Sequence, residues 1–94
     1  MPVEEMAQFL TRVNEAAAVQ QLPVCGAVAE YGVNQFEVNL RHIADPVLAA
    51  DQAVLLRRLV RGVARSLGMD ATFMAKPFMD QPGNGLHVHV SLVD

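Results

Sequence analysis

Between Leu86 and Leu92 the chain alternates without a break. Leu86, Val88, Val90 and Leu92 point one way, and His87, His89 and Ser91 point the other. A period of two belongs to a β-strand with one apolar face and one polar face. Residues 35–40 repeat the pattern, with Gln35, Glu37 and Asn39 set against Phe36, Val38 and Leu40. Residues 70–76 do so again, with Thr72, Met74 and Lys76 against Ala71, Phe73 and Ala75. Residues 24–29, Val-Cys-Gly-Ala-Val-Ala, form a short apolar run that reads as a buried strand. Gly32 and Asn34 supply turn chemistry between residues 24–29 and 35–40, which predicts a hairpin.

Two segments carry a helical period instead. In residues 3–20 the apolar positions are Val3, Met6, Phe9, Leu10, Val13, Ala16 and Ala17, with Pro2 suited to a first turn. Asp45-Pro46 reads as an N-cap followed by a first helical residue. That helix is expected to run to Ser66, with Gly68 as its stop. Its core stripe is Leu48, Leu55, Leu56, Leu59, Val60, Val63 and Leu67, interrupted by Gln52. The order is then α-β-β-α-β-β, which has the look of a doubled α-β-β unit without a sequence repeat. It predicts an α+β fold: an antiparallel sheet with both helices on one face and the other face open.

The chain has 94 residues, enough for one domain at most. A chain of this size buries roughly 60–65% of its unfolded surface. Its hydrophobic content of 52% is high for that length, which suggests that some apolar surface meets something else. A net charge of −3 gives no basic excess for nucleic acid. One cysteine, Cys25, excludes an internal disulfide and is a poor basis for a structural zinc site. Cys25 is expected in the core on the helix-covered face with Ala27 and Ala29. No apolar run approaches the roughly 20 residues of a membrane span, and no secretory leader is visible, so the cytoplasm is the expected compartment.

The open sheet face is where chemistry would gather. It collects Glu30, Gln35, Glu37, Asn39, Thr72, Lys76, His87, His89 and Ser91. Carboxylates suit hard divalent cations, and imidazoles add affinity for manganese-like ions. Gly83 and Gly85 precede the His-x-His strand, where backbone passes close to something. Each signal alone has a plainer reading, as solvated strand residues or a simple turn. Together on one face of an apolar sheet they resemble a site. Arg57, Arg58, Arg61 and Arg65 lie at helical spacing and read as a solvated face, or as a contact with an acidic neighbour. His42, beside Arg41, carries no clear signal.

Four segments resemble the glutamine synthetase family. Residues 29–39, Ala-Glu-Tyr-Gly-Val-Asn-Gln-Phe-Glu-Val-Asn, are similar to its "E…GQxE" segment. Ala49-Ala50-Asp51 is similar to its "aAD" helix start, and residues 71–77 to its "ATFMxKP" strand. Residues 83–92 resemble its "GSGMHxHxSL" signature. The order is right and the resemblance covers essentially the whole chain.

The resemblance implies an ATP-dependent glutamate–ammonia or glutamate–amine ligase. ATP phosphorylates the γ-carboxylate of glutamate, and an amine displaces the phosphate, with Mg2+ or Mn2+ organising the phosphates. It further implies Glu30 and Glu37 as ligands of one ion, His87 as a ligand of a second, His89 and Ser91 near the nucleotide, and Gly83 at the glutamate-binding loop. A homo-oligomeric ring with sites between subunits is implied as well. Pro82 stands where the family carries an amide side chain, which departs from the usual substrate contact. The wording of residues 29–40 and 80–83 is closer to the γ-glutamyl-amine branch, such as γ-glutamylpolyamine synthetase.

Family members are several times longer. The expectation is that residues 1–94 are a partial catalytic domain, inactive in isolation. The alternatives are a non-catalytic oligomerising relic and a small cupin-like metal-binding module. The two amphipathic helices argue against the latter.

Overall fold

The computed structural model describes residues 3–29, 34–41, 45–75 and 86–93. The elements run α1 (Val3–Val19), β1 (Val24–Ala29), β2 (Gln35–Leu40), α2 (Pro46–Ser66), β3 (Asp70–Ala75) and β4 (Leu86–Val93). Two helices of 17 and 21 residues are incompatible with an all-strand cupin barrel.

Both helices are closed by chemistry legible in the chain. The Asp45 carboxylate accepts from the Val47 and Leu48 amides at 3.0 and 3.3 Å, and Pro46 occupies the first helical position, where no amide partner is needed. At the other end of α2, Gly68 adopts φ 77°. Its amide donates to Arg65 O, and the Met69 amide donates to Ala64 O at 2.9 Å, a Schellman closure with Met69 buried beneath it. α1 ends in the same way, with Gln21 bonded to Ala18 O and Leu22 to Ala17 O. Here Gln21, not glycine, takes the left-handed conformation at φ 57°.

The strands form one antiparallel sheet in the order β1-β2-β4-β3. Each half of the chain contributes a pair, β1–β2 and β3–β4, and the halves meet at β2 and β4. Phe36 lies across from Val90, and Val38 across from Val88. These residues, with Leu40 and Leu92, are buried under the helices. Phe9 of α1 meets the Phe36 ring with centroids 5.2 Å apart, and the Arg61 guanidinium of α2 lies 5.1 Å over the Phe73 ring. Both helices therefore cover the same sheet face. Full burial of a side chain the size of Phe9, Phe36 or Leu56 contributes roughly 1.5–3 kcal/mol. The core includes these side chains together with Val13, Val38, Val60, Val88 and Val90.

One expectation about the core needs correction. Leu48 and Leu55 are not in it; they are 46% and 40% exposed. The buried residues of α2 are Leu56, Leu59, Val60 and Ala64, all in its C-terminal half. The helical period marks a stripe along the whole helix, but the stripe is covered only where sheet and α1 lie beneath it. In β1 the register shifts between Val24 and Gly26, which makes Cys25 the extra residue of a bulge. Ala27 and Ala29 sit across from Val38 and Phe36. The side chains of Cys25, Ala27 and Ala29 lie outside the described ones.

Candidate functional site on the open sheet face

β2 and β4 are the two central strands, so the open face has their polar residues at its middle. The register sets Gln35 across from Ser91, Glu37 across from His89, and Asn39 across from His87. On β3, Thr72 lies beside Ser91 and completes a polar row across three strands. Its hydroxyl reaches the Ser91 carbonyl at 3.4 Å.

Glu37 is the hub. Its Oε1 accepts from His87 Nδ1 at 2.6 Å, a diagonal contact between the strands. Its Oε2 is 4.0 Å from His89 Nε2. The three side chains keep 26–28% of their exposure, so the cluster is largely shielded yet open on one side. A carboxylate only accepts, so His87 Nδ1 carries the proton in this bond, and in the neutral ring Nε2 holds the lone pair. The arrangement brings one carboxylate and two imidazoles to one patch. That mixed oxygen–nitrogen donor set suits a divalent cation and the phosphates that accompany it. Among the described residues no group of three or more His, Cys, Asp or Glu, this one included, is arranged to hold a metal ion by itself.

Of the residues expected at the site, Glu37, His87, His89 and Ser91 come together on this face. Glu30, Lys76 and Gly83 lie outside the described residues, as do His42 and Pro82. The four arginines divide. Arg58, Arg61 and Arg65 are exposed, with Arg65 3.5 Å from Asp70, while Arg57 is half-buried and bonds Ala53 O.

Asn34 is the residue that sequence reasoning left as ordinary turn chemistry. It has φ 62°, and its carbonyl accepts from the Leu92 amide at 2.9 Å, tying the start of β2 to β4. Its enclosed Oδ1 has no hydrogen-bond partner among the described residues. The signal was present in the motif. Asn34 stands at the glycine of "E…GQxE", and asparagine is the residue that best tolerates that backbone conformation after glycine.

Comparison with known proteins identifies the family by sequence. The glutamine synthetase catalytic-domain family model matches residues 1–94. The chain is 43% identical over 90 residues to a gamma-glutamylputrescine synthetase of Escherichia coli K12, covering 96% of this chain and 19% of that protein. It is 41% identical over 66 residues to a glutamate–isopropylamine ligase of a Pseudomonas species, covering 70% of this chain and 14% of that protein. A glutamine synthetase of Pyrococcus horikoshii is 43% identical over 63 residues, covering 67% of this chain and 14% of its own. The chain thus spans a fifth or less of these relatives. No solved structure gives a significant match. The match over the whole chain and these identities show that the chain belongs to the glutamine synthetase family.

Proposed function

We propose that residues 1–94 supply one wall of the active site of an ATP-dependent glutamate–amine ligase, as a part of its catalytic domain. The observation that carries the reading is the Glu37 carboxylate held between His87 and His89 at the centre of an open sheet face. The reaction transfers the terminal phosphate of ATP to the γ-carboxylate of glutamate, and an amine then displaces phosphate to form the amide. Every reactant but the amine is an anion, so the wall must manage negative charge. Mg2+ or Mn2+, when bound, neutralises phosphate charge and orients the transfer.

In this reading Glu37 and Glu30 hold one cation and His87 a second. The donor types fit: a carboxylate oxygen of Glu37 and the Nε2 lone pair of His87, whose Nδ1 is engaged by Glu37, are ligands that such cations take. His89 and Ser91 face the nucleotide, and the loop with Gly83 contacts glutamate. The β-sheet keeps Glu37, His87, His89 and Ser91 on one surface, with rotamers limited by cross-strand neighbours. Similarity to amine ligases, gamma-glutamylputrescine synthetase among them, favours an amine acceptor over ammonia. In the same reading the enzyme works in the cytoplasm, where ATP and glutamate are both supplied.

The test is Mn2+ binding to the 94-residue chain, followed by water-proton relaxation. Glu37→Ala and His87→Ala should each weaken binding at least tenfold, while Thr11→Ala, on the exposed face of α1, should leave it unchanged. Equal affinity in all four proteins would remove Glu37 and His87 from the cation site.

A further inference from the structure

Arg41 belongs to the open face, and the site as described does not use it. It follows Asn39 by two residues, and its amide donates to Pro23 O at 2.8 Å, which carries the β1–β2 ladder past the end of β2. Strand alternation therefore extends the outward column Gln35, Glu37 and Asn39 to Arg41. Among the described residues of this face it is the one lysine or arginine.

The column has a direction. Leu86 lies across from Leu40, so the chain following Gly83 enters β4 at the Arg41 end of the sheet. Gln35 and Ser91 lie toward the opposite end, with Glu37, His87 and His89 between. In the ligase reading, on which this inference rests, the amino-acid substrate then lies toward Arg41 and the nucleotide toward Ser91. Arg41 is about 13 Å from Glu37 along the strand, and a long side chain leans along its strand. A glutamate whose γ-carboxylate meets the cations at Glu37 and His87 has its α-carboxylate on the Arg41 side. The guanidinium fork matches a carboxylate. Pro82 stands where the family carries an amide side chain for the amino-acid end, so a replacement contact is called for.

Gly26 marks the same end of the face. It pairs with Asn39, so a side chain there would stand on the open face. Its backbone takes no positive φ, and an added Cβ would meet only Asn39 Nδ2, at an ordinary 4.0 Å. Neither conformation nor crowding within the chain requires glycine, which weakens a strand interior and marks close approach of a ligand.

We propose that Arg41 holds the α-carboxylate of glutamate, and that the bare backbone at Gly26 is the floor of that subsite.

The test is an NMR chemical-shift titration of the 94-residue chain in Mg2+. The ligands are L-glutamate and γ-aminobutyrate, which keeps the γ-carboxylate and lacks the other, over about 0.1–50 mM, a range reaching weak complexes. Wild type should bind glutamate about tenfold more tightly than γ-aminobutyrate. Arg41→Met should bind the two alike. Gly26→Val should weaken glutamate at least fivefold with its melting temperature unchanged or higher, and circular dichroism reports that each fold is retained. Wild type that binds no glutamate in this range, or Arg41→Met that keeps the preference, would overturn the proposal. So would Arg41→Met that weakens ATP binding and spares glutamate. If Mn2+ binding still depends on Glu37 and His87 in those cases, the ligase reading stands without this subsite. If Mn2+ binding ignores Glu37→Ala and His87→Ala, that reading falls and takes the proposal with it. Gly26→Val that binds glutamate like wild type would remove Gly26 from the subsite.

Discussion

The contact between Glu37 and His87 can be measured in the absence of any ligand. At 2.6 Å, with both side chains about three-quarters buried, it is a charge-assisted hydrogen bond in a partly shielded site. Bonds of this class contribute roughly 1.5–3 kcal/mol, and the residual exposure on one side brings the expected coupling toward about 1.5 kcal/mol. The perturbation is a double-mutant cycle: Glu37→Ala, His87→Ala and the pair. The assay is urea unfolding in EDTA, with the coupling energy taken from the four stabilities. The cycle cancels the changes in strand propensity that each alanine brings. A second cycle of Glu37 with His89 sharpens the argument. Its Nε2 is 4.0 Å from the carboxylate, beyond hydrogen-bond reach, so its coupling should fall below about 0.5 kcal/mol. Equal couplings in the two cycles, or less than about 0.3 kcal/mol for His87, would refute the idea that the carboxylate engages one imidazole selectively.

Two further outcomes follow from the fold. Gln21 holds φ 57° at the end of α1, where glycine is preferred, so Gln21→Gly should stabilise the chain. Relief of the left-handed strain less the extra unfolded-state entropy leaves about 0.5–1 kcal/mol, read as a melting rise of roughly 2–8 °C. Phe36 is fully buried beneath Phe9 at the centre of the sheet, so Phe36→Ala should cost about 3–5 kcal/mol in chemical denaturation. That is a large part of the total for a domain of this size and should leave it partly unfolded at 37 °C.

Three strands and both helices were legible from their periods, broken in α2 only by Gln52, and β1 from its short apolar run. Asp45-Pro46 and Gly68 mark the ends of α2 in the letters themselves. The polar face was legible for the same reason: strand parity puts Glu37, His87 and His89 on one side before any pairing is known. What parity cannot give is register. The diagonal bond from His87 to Glu37, with His89 directly opposite the carboxylate yet farther from it, depends on Val38 lying across from Val88. A slip of one residue would turn the histidines away from Glu37, and a slip of two would set His87 directly opposite it. The extent of α2 burial was also beyond reach. Leu48 and Leu56 look alike in a helical period, but only the second lies over the sheet.

The site also exists only in the folded chain. Glu37 is on β2 and His87 on β4, separated by 50 residues, and they meet where the two α-β-β halves dock. Either half alone would retain its polar strand and lose the patch. Cation binding is then linked to folding, because the donors converge in the native state and scatter in the unfolded one. If Mn2+ binds here, free ion at ten times its dissociation constant should add about 1.4 kcal/mol to the unfolding free energy. The increment should fall to about 0.4 kcal/mol or less in Glu37→Ala, whose folded state keeps the sheet but lacks the carboxylate. An equal increment in that variant would place the stabilising ion elsewhere on the chain. The linkage therefore separates a cation held by this sheet face from one held at an unrelated surface, and it does so without requiring turnover.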